Sequence, residues 1–339
     1  MKFVIDIIPS TMKRVNELLA RTDYGSLGVF VGAAIENQLL LEESETNGIV
    51  SPIQKDIIKP SLVDLRPIVD KLSLGPVDQP MLRHTLEAPT DENIIPGPLW
   101  GGFYRLFPAK LAVRVFVDYF KDEYPKITDF NKEVVDFALQ LGQYFRQKDE
   151  KESRKYGEKT AVVFPHLDGT SIKRFKALYL VVKRPRDGRL DGLMGRLKFI
   201  NVSEGKVGIT KAGLEFAKLE NPLFDGGFSE PGFSDSEIRF LLGHIQANLI
   251  DEFSDMGQLT CLVQKGIRAR KEINEKMGKY YEKKYFQEKR WSDKVIATMT
   301  AGLTSRLVEI HVLQKEKSAF GSRLVPGTFA DKLLEGVNC

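Results

Sequence analysis

Apolar positions in this chain recur mostly every three or four residues, the spacing that gathers them on one face of a helix. Ala109 to Phe120 and Asn131 to Phe145 read as amphipathic helices, and Ser171 to Val182 as a third, ending before Pro185. Arg189 to Lys198 reads as a short helix with Leu190, Leu193 and Leu197 inward. The pattern then changes. Phe199 to Val202 predicts a strand, Ser203 to Lys206 a turn, and Val207 to Ile209 the returning strand. Thr210 caps a helix running to Leu219. In the last third, Glu237 to Asn248, Met256 to Gly266, Lys271 to Tyr280 and Ser292 to Ile310 are helical. Val312 to Lys315 and Arg323 to Val325 then predict a second hairpin with its tip at Glu316 to Ser322. The expected class is mainly α with small β-hairpins.

The beginning of the chain has its own pattern. Lys2 to Ile8 is rich in β-branched residues and bounded by Pro9, which predicts a strand. Ser10 and Thr11 offer an N-cap for a helix carrying Met12, Val15, Leu18 and Leu19. Asp23-Tyr24-Gly25 breaks it, and Ser26 caps a second helix with Phe30, Val31, Ala34 and Ile35 on its apolar face. Some 45 residues with one strand cannot close a core, and a lone strand leaves its edge unpaired. A second copy, its strand pairing antiparallel across a two-fold axis, repairs both defects.

On these residues the segment resembles the ribbon-helix-helix family. The resemblance covers residues 1–45 and implies a homodimer, with Phe3, Ile5, Ile7, Phe30 and Ile35 as its dimerisation residues. It also implies a ribbon in the DNA major groove and helix amides on a phosphate. This ribbon departs from that pattern, because its polar positions are only Lys2 and Asp6. Base readout and dimerisation alone both remain open, as do a phosphate contact and a simple helix cap for Ser26.

Residues 46–100 read as a connector. Nine of the sixteen prolines fall between Pro52 and Pro108, and residues 35–98 carry eleven acidic against five basic side chains. Short helical turns such as Ser61 to Leu65 are expected. Ile57, Ile58, Leu62, Leu65, Ile68 and Leu72 would lay the connector along the next domain. Its acidity makes it a poor contact for nucleic acid.

Helices followed by a hairpin are the pattern of a winged helix. Leu193 to Ile200, leading to Thr210-Lys211-Ala212-Gly213-Leu214, resembles archaeal and bacterial winged-helix families, in which a recognition helix leads into the wing. A similar string returns 110 residues later: Gly192, Leu193, Arg196, Leu197, Ile200 and Val202 match Gly302, Leu303, Arg306, Leu307, Ile310 and Val312. Two such units are therefore expected, over 101–225 and 226–339, with the glycine- and proline-rich stretch 221–234 between them.

The overall formal charge, +4, is too small to indicate a partner, but its distribution does. Residues 171–198 hold nine basic and two acidic side chains, and residues 265–290 ten and four. Clustered cations at equivalent places in two units suit duplex DNA, whose phosphates supply most non-specific affinity. In the first unit the expected contacts are Lys173, Arg174, Lys183, Arg184, Arg186, Arg189, Arg196, Lys198 and wing Lys206. In the second they are Arg268, Arg270, Lys271, Lys294, Thr298, Ser305 and Arg306, with wing Lys315, Lys317 and Arg323. A solvated helix face is the plainer reading of the alternating Arg268 to Arg290 run. Arg196 and Arg306 read equally as structural arginines with buried stems and carboxylate-paired heads.

Of the catalytic signatures, no P-loop, dinucleotide fingerprint or nucleophile elbow occurs. His166-Leu167-Asp168 is a close histidine–carboxylate pair in a turn, which is weak evidence for catalysis, and the carboxylates at Asp149 to Glu152 read as a helix end. Cys261 reads as a buried structural thiol. Four scattered histidines and two cysteines lack metal-ligand spacing. No signal-peptide or membrane-spanning run is expected, and few cysteines fit a reducing cytoplasm. The sequence thus predicts a non-enzymatic double-stranded DNA-binding protein without metal or cofactor. It would be a transcription regulator or the DNA-recognition subunit of a larger assembly, such as a defence system. The alternative is a scaffold that uses its winged helices for protein contacts.

Overall fold

The computed structural model describes residues 66–73, 85–120, 123–155, 158–226, 230–285, 291–318 and 321–337. The chain divides into units 1–61 and 62–339, and every described residue belongs to the second. The ribbon expected at residues 2–8, both following helices, Phe3, Ile5, Ile7, Phe30, Ile35 and the turn at Ser61 to Leu65 lie outside the described residues, as do Ile57, Ile58, Leu62 and Leu65.

The architecture is mainly helical with small antiparallel hairpins. Helix α1 (Arg66–Leu72) buries Ile68, Val69 and Leu72. Helix α2 (Phe107–Tyr119) comes next, then α3 (Ile127–Lys151) and α4 (Gly169–Tyr179). Strands β1 (Val182–Lys183) and β2 (Leu190–Asp191) pair antiparallel and lead into the one-turn helix α5 (Gly192–Arg196). The hairpin β3 (Ile200–Ser203) and β4 (Lys206–Ile209) ends at α6 (Lys211–Lys218), which Thr210 caps through the Gly213 amide. Beyond it come α7 (Asp235–Asn248), α8 (Ile250–Gln264), α9 (Arg270–Tyr285) and α10 (Asp293–Glu309). The hairpin β5 (Leu313–Ser318) and β6 (Gly321–Pro326) and the short α11 (Ala330–Leu334) complete the fold.

Helix α2 is not amphipathic. Every residue from Phe107 to Val117 is buried, Lys110 and Arg114 included. Those two cations stand one turn apart, where a sequence reading sees a polar face. They stay inside because oxygens meet them, as buried charges require. Lys110 Nζ lies 2.8 Å from Glu237 and donates to the carbonyls of Phe216 and Leu219 at 2.7 Å. Arg114 bonds Asp225 and the carbonyls of Leu72 and Leu219. Glu237 also closes a capping box with Ser234 at the start of α7. One polar cluster thereby ties together α1, α2, α6 and α7.

The expected helix Arg189 to Lys198 is only partly formed. Leu190 and Asp191 pair with Val182 and Lys183, and Gly192 turns the chain with φ +78° against the Leu180 carbonyl. Helix α5 is too short and too enclosed to enter a DNA groove, since all five of its residues are buried. The first hairpin is covered along the outer edge of β4, where Leu86 bridges to Thr210 and Lys126 to Lys206, while its tip at 203–206 is exposed. Gly208 leaves room for Leu86 and Tyr124.

Helices α5 and α10 end in the same way. Leu197, Lys198 and Phe199 donate to Leu193, Gly195 and Met194, and Ile310, His311 and Val312 donate to Arg306, Val308 and Leu307. Lys198 and His311 take the left-handed conformation at φ 55° and 56°. The same stop closes α3 at Ser153 and α8 at Gly266, so it is a common helix end and no mark of a repeat.

The end of the connector is a strap rather than a linker. The Leu99 amide donates to Glu252 at 2.9 Å, and Glu252 pairs with Arg306 at 2.7 Å, both side chains buried. Arg306 also donates to the carbonyls of Phe103, at 2.7 Å, and Leu99. Arg196 donates to the carbonyls of Gly97 and Pro98 at 2.6 and 2.7 Å. Gly101 and Gly302 meet without side chains, and a Cβ on Gly302 would strike the Gly101 carbonyl. Both arginines are thus structural, Arg306 on a carboxylate and Arg196 on carbonyls, and neither head is available to DNA.

Replacing Arg306 with Ala should cost roughly 3–5 kcal/mol of unfolding free energy, because it strands Glu252 in the interior. Arg323→Ala, which breaks only the exposed pair with Glu316, should change stability by less than about 1 kcal/mol. Urea denaturation of both variants checks the contrast.

Candidate anion-binding groove

The strap ends at Tyr104 and Arg105, where α2 begins. Glu309, the last residue of α10, accepts the Leu106 and Phe107 amides at 2.5 and 3.2 Å. Burial pushes its carboxyl upward, while Arg105, those amides and Arg306 act in the opposite sense. This junction sets Arg105 at one edge of a groove of about 620 Å³. Its other walls come from the loop 159–166, from α4 and from Ser305 and Lys315.

The loop is anchored at two points. Asp149 accepts the Thr160 and Ala161 amides and the Thr160 hydroxyl. Burial disfavours its charge, but these bonds and Arg154 hold the carboxyl below its ordinary range. Phe164 stacks on Phe145 at 5.7 Å. Helix α4 is fixed by Asp168, whose side chain accepts the Ser171 amide at 2.7 Å. That carboxylate is a helix cap, which accounts for the carboxylate of the His166-Leu167-Asp168 pair. Phe175 and Tyr179 form the apolar floor, and burial raises the Tyr179 hydroxyl to about 12.

A smaller cavity of about 230 Å³ opens beside the groove, lined by Arg268, Arg270, Asn274, Thr300, Ala301, Thr304, Ser305, Lys315 and buried Ile273 and Leu324. Ser305 and Lys315 line both spaces. Six cations therefore line these two neighbouring spaces: Arg105, Lys159, Arg174, Arg268, Arg270 and Lys315. Among the described residues no acidic side chain lines either part. Burial lowers the Lys315 ammonium pKa from its usual range, and Arg105 and Arg270 lower it further. Like charges held this close attract an anion strongly.

Five residues chosen from the sequence meet here: Arg174, Arg268, Arg270, Ser305 and Lys315. Arg105 and Lys159 escape a sequence reading, because each stands alone outside the two cation-rich windows. The other candidates lie elsewhere. Lys183, Arg186 and Arg189 sit on or beside the β1–β2 hairpin, where Arg184 lies 3.5 Å from Asp187. Lys198 is paired with Asp91 at 2.7 Å, and Arg323 with Glu316 at 2.9 Å. Thr298 Oγ1 donates to the Lys294 carbonyl, and the Thr298 carbonyl lies where a Cβ on Gly101 would fall. Lys173, Lys206, Lys271 and Lys294 are exposed outside the groove. Lys317 lies on β5 opposite Ser322.

Among the described residues no group of three or more His, Cys, Asp or Glu side chains is placed to hold a metal. None of the described helices is long and apolar enough to cross a membrane. Cys261 is buried but is disulfide-bonded, not the thiol expected.

The crowding of cations has a consequence independent of any ligand. Arg270→Ala should raise the Lys315 pKa toward the ordinary lysine value, though not fully, because burial remains. Titration of the lysine side-chain resonances by NMR checks the direction.

Comparison with known protein families, curated proteins and solved structures gives no match for this chain.

Proposed function

We propose that this chain is a non-enzymatic double-stranded DNA-binding protein that holds the phosphate backbone along the groove between α4 and β5. The observation that carries the reading is the convergence of six cations from five separate stretches of chain on two spaces that share Ser305 and Lys315, without an acidic residue among their described lining. Among the described residues none of the six forms an ion pair with a carboxylate, whereas Lys110, Arg114, Lys198, Lys284 and Arg306 all do.

Contacts of this kind fix a duplex in place and read little sequence. The two hairpin units, α5 with β3–β4 and α10 with β5–β6, are compatible with a tandem winged-helix ancestry. With α5 enclosed, the DNA-facing work in this proposal falls to the groove and the second hairpin. Residues 1–45, by their ribbon-helix-helix resemblance, would pair two copies, and bivalency would multiply a modest affinity per groove. A transcription regulator or the DNA-recognition subunit of a larger assembly fits such a device. The buried α5 favours a second reading, a protein-binding scaffold, since a binder of bases would leave that helix free.

Binding of a labelled duplex across a salt series separates them. Each phosphate contact contributes roughly 0.9 to the slope of log affinity against log salt. The double change Lys159→Ala, Arg174→Ala should lower affinity and reduce that slope by roughly 2, while Lys332→Ala, which removes an exposed cation of α11 paired with Glu335, leaves the slope unchanged. No duplex binding even at low salt would leave the scaffold.

A further inference from the structure

We propose that the small cavity between α9, α10 and the second hairpin is a receptor for a terminal phosphate, a phosphate monoester carried by a 5′ nucleic-acid end or by a free nucleotide. This rests on the reading of the adjoining groove as a phosphate-binding face.

Shape points to a terminal group. A backbone diester leaves its phosphorus in two directions and needs room for a strand on both sides. The cavity, at about 230 Å³ little more than a third of the groove, shares Ser305 and Lys315 with it and has Ile273, Thr300 and Leu324 as buried wall. A group with one covalent tether enters such a chamber with its tether lying in the groove. There Phe164, Phe175 and Tyr179 offer apolar and aromatic surface to a sugar or base.

Charge points the same way. A monoester carries between one and two negative charges near neutral pH, and a diester one. The chamber sets two guanidinium groups and an ammonium around about 230 Å³. Guanidinium forks match phosphate oxygens in pairs. One polar atom of the lining, Arg268 Nε, is also buried without a hydrogen-bond partner. Native proteins rarely leave such a donor unsatisfied, so an acceptor in the chamber accounts for it. Asn274 and Ser305 supply further neutral donors. The lowered pKa of Lys315 agrees with cations assembled for a counter-charge.

The test uses the full-length chain at one fixed salt concentration. Affinity is measured by fluorescence anisotropy for one duplex with 5′-phosphate or 5′-hydroxyl ends, and by calorimetry for deoxyadenosine monophosphate against deoxyadenosine. The phosphorylated duplex should bind about tenfold tighter, the worth of one or two charge-assisted hydrogen bonds. Ala301→Leu, which fills the chamber and keeps every cation, and Arg270→Gln should each bring the ratio of the two affinities to one. Equal affinity for both duplex ends, together with binding of the monophosphate and not of the nucleoside, also supports the proposal and makes a free nucleotide the source. Equal affinity for both ends with no binding of the monophosphate overturns it, and the groove reading survives if the duplexes still bind. Binding of the monophosphate without any duplex binding sinks the groove reading alone.

Discussion

A guanidinium taken out of water must be surrounded by oxygens, and Arg306 finds its oxygens in two parts of the chain at once. Glu252 comes from α8, and the carbonyls of Leu99 and Phe103 come from the strap that precedes α2. Arg196, at the other hairpin unit, holds the carbonyls of Gly97 and Pro98. The strap is thereby gripped from both halves of residues 62–339 within a few residues. Neither arginine can leave without exposing an unsatisfied interior, a cost several times that of an exposed ion pair.

The groove depends on this grip. Arg105 closes the strap, and Glu309 fixes the two amides directly after it. Were the strap loose, Arg105 would swing toward solvent and the groove would lose one edge. Its partners come from unrelated places: Lys159 from a loop pinned by Asp149, Arg174 from α4, Arg268 and Arg270 from the entry to α9, and Lys315 from β5. Bringing six like charges together opposes folding. The polar cluster at Lys110, Arg114, Glu237 and Asp225 and the aromatic packing about Phe107, Phe216 and Phe224 supply part of the rigidity that offsets it.

Much of the helical framework is legible in the sequence, because apolar spacing and caps are local signals. Thr210, Ser234 and Ser292 each cap the helix that starts beside them, and both hairpins fall where alternation replaces the helical period. Features that depend on partners distant in the chain are not legible. Lys110 and Arg114 look like a solvated face until Glu237 and Asp225 are seen against them. Arg196 and Arg306 stand out as matching letters, but that both clamp the strap is visible only in the fold. Leu190 reads as helical until Lys183 claims it as a strand partner. Of the groove, the cations inside the two basic windows stand out, and Arg105 and Lys159 do not, since nothing local marks an isolated cation as part of a site.

If the strap is an integral, clamped element on which the groove is built, its amides must open only with the rest of the fold. Native-state hydrogen exchange at the amides of Leu99, Leu106 and Phe107, all three bonded to glutamate side chains, reads this out residue by residue. A clamped strap exchanges as slowly at these positions as the buried amides of α2 and α10, through the same global opening. Exchange at the rate of an unstructured peptide, while α2 and α10 stay protected, would show that the strap is loose and that the groove lacks the support assigned to it.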